Sequence, residues 1–163
     1  MIVASRSLRG TMIATLLAGL ALTMLPLPDA VEAFRPDWVL MLLIYWAMRM
    51  PQRYSVGTAW VAGIIIDVVQ GTYLGQHALA MSLIVFLTVK FHLLMRMFPL
   101  PQLTLSVVGL VALYQFFLFW INGVAGISAP ERVYWAPVLI SFLAWPFVSM
   151  FMNGLTMRAQ SSS

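Results

Sequence analysis

The chain has 163 residues, of which 62% are hydrophobic and only 9% are charged, with nine basic and five acidic side chains. A soluble domain carries about 25% charged residues, and a chain of this size buries too little surface to hide so many apolar side chains. These figures exclude a soluble globular protein and a disordered one, and they point to an integral membrane protein whose solvent is lipid. Cysteine is absent, which removes disulfides, thiolate metal sites and a cysteine nucleophile. The net charge of +4 comes from basic residues scattered singly between apolar runs, so no stripe for nucleic acid is formed.

A spanning helix needs about 20 mostly apolar residues. The first candidate covers residues 11–25, follows Arg6 and Arg9, and stops at Pro26 and Pro28. A basic start before an apolar stretch is also the pattern of a signal peptide. Val31-Glu32-Ala33 is a poor cleavage site, however, so an uncleaved first helix is expected. The second span covers 38–48 and the third 56–69, both short enough to need polar extensions or tilt. The fourth covers 78–97 and stops at Pro99 and Pro101. The fifth covers 103–121. The sixth covers 134–155 and contains Pro137 and Pro146, the latter expected to kink it. Alternating strand patterns are missing, which argues against a transmembrane barrel. The expected architecture is a single six-transmembrane-helix bundle over residues 1–158, all-α, with a short polar tail over 159–163.

Charge placement orients this bundle. Six spans put both termini on one side, which receives Arg6, Arg9, Arg49, Arg53, Lys90, Arg96 and Arg158 and no acid. The other side receives Arg35 and Arg132 against Asp29, Glu32, Asp37 and Glu131. The positive-inside rule then predicts cytoplasmic termini.

Asp67 is the one acid inside an apolar run, between Gly63-Ile64-Ile65-Ile66 and Val68-Val69. An intramembrane carboxylate is costly and marks a candidate functional position. It also lies near a helix C-terminus, the unfavourable end of the dipole for a negative charge. The topology puts Arg35 at the same face, so Arg35 is expected to pair with Asp67; the alternative is that Asp67 reaches interfacial water. Asp37 and His77 complete a candidate polar outer mouth. Arg35-Pro36-Asp37-Trp38 also has a purely structural explanation as a helix start. Ser55, Ala59, Gly63, Asp67, Gly71 and Gly75 recur every four residues. Such spacing makes a stripe of small residues that admits a second helix closely, within the bundle or from a partner. Packing is favoured for Ala59 and Gly63. A turn with positive φ is favoured for Gly71 and Gly75. Tyr114, Gln115 and Asn122 in the fifth span either line a cavity or bond a neighbouring helix. His77 and His92 are too far apart for a metal pair on one helix. No zinc, serine-hydrolase or phosphate-loop motif occurs, so no catalytic residues, metal or cofactor are expected.

The stretch Arg35-Pro36-Asp37-Trp38-Val39-Leu40 with Leu43-Ile44-Tyr45-Trp46 resembles the signature of the MreD family, the rod shape-determining membrane proteins of bacteria. So does Gly63 to Asp67, followed by Gly71, Leu74-Gly75 and His77-Ala78-Leu79. The resemblance implies a non-enzymatic inner-membrane subunit of the cell-elongation machinery for peptidoglycan. It implies a bitopic MreC-like partner, with MreB, RodA and a penicillin-binding transpeptidase in a larger complex. It also implies a fold similar to the substrate-binding components of vitamin transporters. On this reading the bundle holds the transmembrane helix of the MreC-like partner within the lipid bilayer, with the small-residue stripe supplying close packing. A small-molecule binding or transport component is the alternative.

Overall fold

The computed structural model describes residues 2–32, 34–52, 56–127 and 134–161. Ser55, Arg53, Glu131 and Arg132 lie outside the described residues, as does the end of the tail beyond Ser161. The chain forms α1 (Ile2–Met24), a single turn α2 (Asp29–Glu32), α3 (Trp38–Arg49), α4 (Val56–Gln70), α5 (Gln76–Met97), α6 (Leu100–Val124) and α7 (Ala136–Ser161).

The boundaries follow the breakers with instructive exceptions. α1 begins well before residue 11, because nothing in the first ten residues interrupts a helix and the charged Arg9 faces outward. Pro101 does not end a helix. It sits in the first turn of α6, where its missing N–H has no partner to lose, so α6 starts at Leu100 rather than Leu103. Pro146 lies inside α7, and the helix continues past it to Ser161, turning most of the expected polar tail into helix.

α5, α6 and α7 are long and apolar enough to cross a membrane. Leu8–Met24, α3 and α4 are shorter apolar helices. α3 has 12 residues, about 18 Å of helix against a hydrocarbon core of about 30 Å. It has no polar face, and every residue from Val39 to Met48 is buried. A short helix that is hydrophobic all round belongs in the middle of a bundle. There α3 packs on α1, α5, α6 and α7. α4 packs on α5, α5 on α6, α6 on α7, and α7 on α1. The outward faces carry large apolar side chains such as Leu79, Phe86, Leu105, Leu139 and Phe147. That is the surface a lipid-facing bundle presents.

The register of α1 against α3 is antiparallel. Trp46 Nε1 donates to Thr15 Oγ1 at 3.1 Å, and Leu42 lies against Gly19. Arg35, just before α3, reaches the end of α1 by donating to the carbonyls of Thr23 and Leu25. At the far end Arg96 donates to the Arg49 carbonyl and Arg49 to Asn153, so the C-terminal ends of α3 and α5 meet beside the C-terminal half of α7. Because α3 is much shorter than α5, α6 and α7, the bundle is hollow at both ends of it.

Candidate functional site

The hollow at the N-terminal end of α3 is a cavity of about 760 Å³. Its walls include Arg35, Asp37, His77, Tyr114, Gln115 and Tyr134, and its floor includes Leu40, Ile66 and Met81. A second hollow of about 600 Å³ adjoins it through Thr72, His77, Gln115 and Tyr134.

Asp67 sits behind this wall rather than on it, 1% exposed. Its environment follows from the turn between α4 and α5. Gly71 and Gly75 take φ of 65° and 99°, a conformation that glycine adopts without steric cost. The chain thereby folds back so that α5 starts beside the end of α4. Gly75 is the N-cap of α5 and has no side chain to cap it. Asp67 supplies the missing acceptor from the neighbouring helix. Its Oδ2 accepts from Gly75 N at 2.8 Å, and its Oδ1 accepts from His77 N at 3.1 Å. Thr72 Oγ1 donates to Oδ1 at 2.9 Å, and His77 Nδ1–H donates to the same oxygen at 2.7 Å. The carboxylate therefore lies at the positive end of the α5 dipole, which offsets the repulsion from its own helix. The contact of His77 with Asp67 is the one between a basic side chain and a carboxylate at ion-pair distance among the described residues.

Arg35 does not pair with Asp67. Its two terminal nitrogens are spent on the Thr23 and Leu25 carbonyls, the unpaired acceptors that end α1. The expectation failed because the local donors of the turn reach Asp67 first. Arg35 Nε is left buried with no partner among the described residues, and so is Asp37 Oδ2. Asp37 as a residue is only partly buried, but this oxygen is enclosed. Burial pushes the carboxyl up to about 7.

The small-residue positions divide. A Cβ on Gly63 would lie 2.3 Å from Ala78 Cα and 2.5 Å from Ala78 N. Ala59, one turn earlier, is fully buried. Both are committed to the α4–α5 contact, so they are not available to admit an outside helix. Gly71 and Gly75 have nothing within 4 Å of a built Cβ and serve the turn.

Thr72 escaped attention in the sequence, although its place five residues after Asp67 within the glycine turn was the available signal. Gln115 Nε2 donates to the Tyr134 carbonyl at 3.1 Å, and Gln76 Nε2 to Asn122 Oδ1 at 3.0 Å. These bonds tie the outer rim together. With Nδ1–H held by Asp67, His77 turns an Nε2 acceptor away from the pair. No hydroxyl is bonded to that nitrogen among the described residues. No group of three or more His, Asp or Glu side chains that could hold a metal occurs among them either. The arrangement can hold a polar group or brace a helix junction.

The sequence model of the family described as rod shape-determining protein MreD matches residues 5–155. A rod shape-determining protein MreD of Haemophilus influenzae is 25% identical over 154 residues, covering 92% of this chain and 93% of that protein. No solved structure matches the chain.

Proposed function

The chain belongs to the rod shape-determining protein MreD family, and from that premise we propose that it is a non-enzymatic, six-spanning subunit of the bacterial inner membrane. It serves the cell-elongation machinery by holding the transmembrane helix of an MreC-like partner. The observation that carries this reading is the family match across nearly the whole chain. The surface agrees with it: short connections leave little polar area, while the outer faces of α5, α6 and α7 are broad and apolar. Recognition inside the bilayer is what such a surface supports. With Ala59 and Gly63 occupied by α5, the partner helix has to meet another face than the small-residue stripe. The basic residues at that end support cytoplasmic termini. MreB, RodA and a penicillin-binding transpeptidase would then join through the larger complex, and a fold like that of vitamin-transporter binding components remains part of the proposal.

Co-expression tests the partner directly. An MreC-like protein reduced to its transmembrane helix should co-purify with this chain in mild detergent. Recovery of the partner only when its periplasmic domain is present would contradict recognition within the membrane.

One observation favours a second reading, a binding component for a small polar molecule. The outer cavity of about 760 Å³ keeps a buried donor on Arg35 and a buried acceptor on Asp37 unmatched among the described residues. Mass spectrometry of the purified protein would reveal a retained compound, and its loss in Asp37→Asn would assign it to this cavity.

A further inference from the structure

The opposite end of α3 holds a second, separate cavity of about 470 Å³. It is lined by the ends of α3 and α5, the start of α6 and the middle of α7. Arg49 and Arg96 both border it, and no carboxylate is among its lining residues. Donors outnumber acceptors there. Asn153 Oδ1 already receives Arg49 Nη2 at 2.6 Å and Tyr45 OH at 2.8 Å. Arg96 Nη2 is on the Arg49 carbonyl at 2.9 Å. Trp145 also lines the cavity, is 0% exposed, and its indole N–H has no acceptor among the described residues. In a lipid-embedded bundle an unmatched buried donor is costly, and so are cations that no carboxylate neutralises among the described residues. An anion relieves both at once.

The remaining lining is apolar: Met48, Met95, Leu100 and Leu103. Beside it, Leu93, Leu94 and Met97 of α5 are exposed. Cations above an aliphatic wall suit a molecule with an anionic head and a hydrocarbon body, and basic pockets between helices commonly take such headgroups. We propose that this cavity binds the phosphate headgroup of an anionic phospholipid. Arg96 and Arg49 hold the phosphate, and the Trp145 N–H donates from the deep wall. The acyl chains run along the outer face of α5. This goes beyond the proposed function, since it requires a bilayer and no protein partner.

The full chain, purified in non-ionic detergent, is titrated with short-chain phosphatidylglycerol, phosphatidylcholine or inorganic phosphate, with binding read by native mass spectrometry. Phosphatidylglycerol should bind about ten-fold more tightly than phosphatidylcholine, and Arg96→Gln should weaken it about ten-fold, the worth of one charge-assisted hydrogen bond. Arg96→Lys should retain most of the affinity. Trp145→Phe, which removes the N–H together with part of the ring, should weaken binding about five-fold, and its melting temperature without lipid reads the packing loss separately. Arg96 is exposed, so its replacement leaves the core packing alone, and the melting temperature without lipid checks this. Equal binding of the two lipids would overturn the proposal, as would unchanged phosphatidylglycerol binding in Arg49→Gln/Arg96→Gln. Displacement of the lipid by millimolar inorganic phosphate would overturn its lipid part by assigning the site to a free anion.

Discussion

A carboxylate at the end of a helix is repelled by its own backbone, and Asp67 is held there by the next helix. It caps α5 through Gly75 N and His77 N, and Thr72 and His77 complete its shell. Asp67→Ala strands these donors in a buried place and should cost about 3–5 kcal/mol, the usual penalty for breaking a buried pair. Thermal unfolding in detergent measures it, and a variant that melts with the wild type would contradict the capping role. Asp37 works in the opposite sense. Burial raises its pKa from the ordinary aspartate value of 3.8 to about 7. The enclosed negative charge therefore destabilises the fold above pH 7, and the penalty is relieved as pH falls from 7 toward 4. Asp37→Asn should melt higher than the wild type at pH 8, with the gap shrinking below pH 7 and closing near pH 4. A gap independent of pH would show that this carboxyl is not the titrating group. Asp67 was visible in the sequence as the isolated acid in an apolar run. Its partners were not, because the relevant donors come from a turn whose geometry depends on two positive-φ glycines rather than on complementary charge.

Among the elements, the α4–α5 pair and α3 decide the architecture. Gly63 lets the α5 backbone approach to a distance that no side chain allows. Gly63→Ala should therefore force the pair apart and lower stability by about 1–3 kcal/mol, as overpacking does. Gly109→Ala is the control, since nothing lies within 4 Å of its built Cβ. Equal melting temperatures for the two variants would refute the close approach. Most helix positions were legible from apolar runs and prolines. The ends were less so: Pro101 reads as a stop but acts as a start, and residues 159–161 look like a tail but continue α7. The shortness of α3 was also visible. Its consequence was not, because a gap at each end of a central helix depends on the lengths of its neighbours.

For the whole molecule, the two ends of the bundle differ in chemistry. Arg49 and Arg96 meet at one end, while Asp37, Asp67 and His77 gather at the other. This is the separation that the charges predicted, and it sets an expected orientation with the arginine end in the cytoplasm. The absence of cysteine makes that testable by single introductions. A cysteine replacing Ser161 should resist a membrane-impermeant thiol reagent in intact spheroplasts, and one replacing Tyr73 should react. The reverse pattern would invert the topology. The central claim is that this bundle is a working rod-shape determinant, and complementation tests it most directly. In rod-shaped bacteria depleted of their own MreD, membrane-level expression of this chain together with its cognate MreC-like partner should restore rods. Cells that stay round, with both proteins present in the membrane at normal abundance, would contradict it.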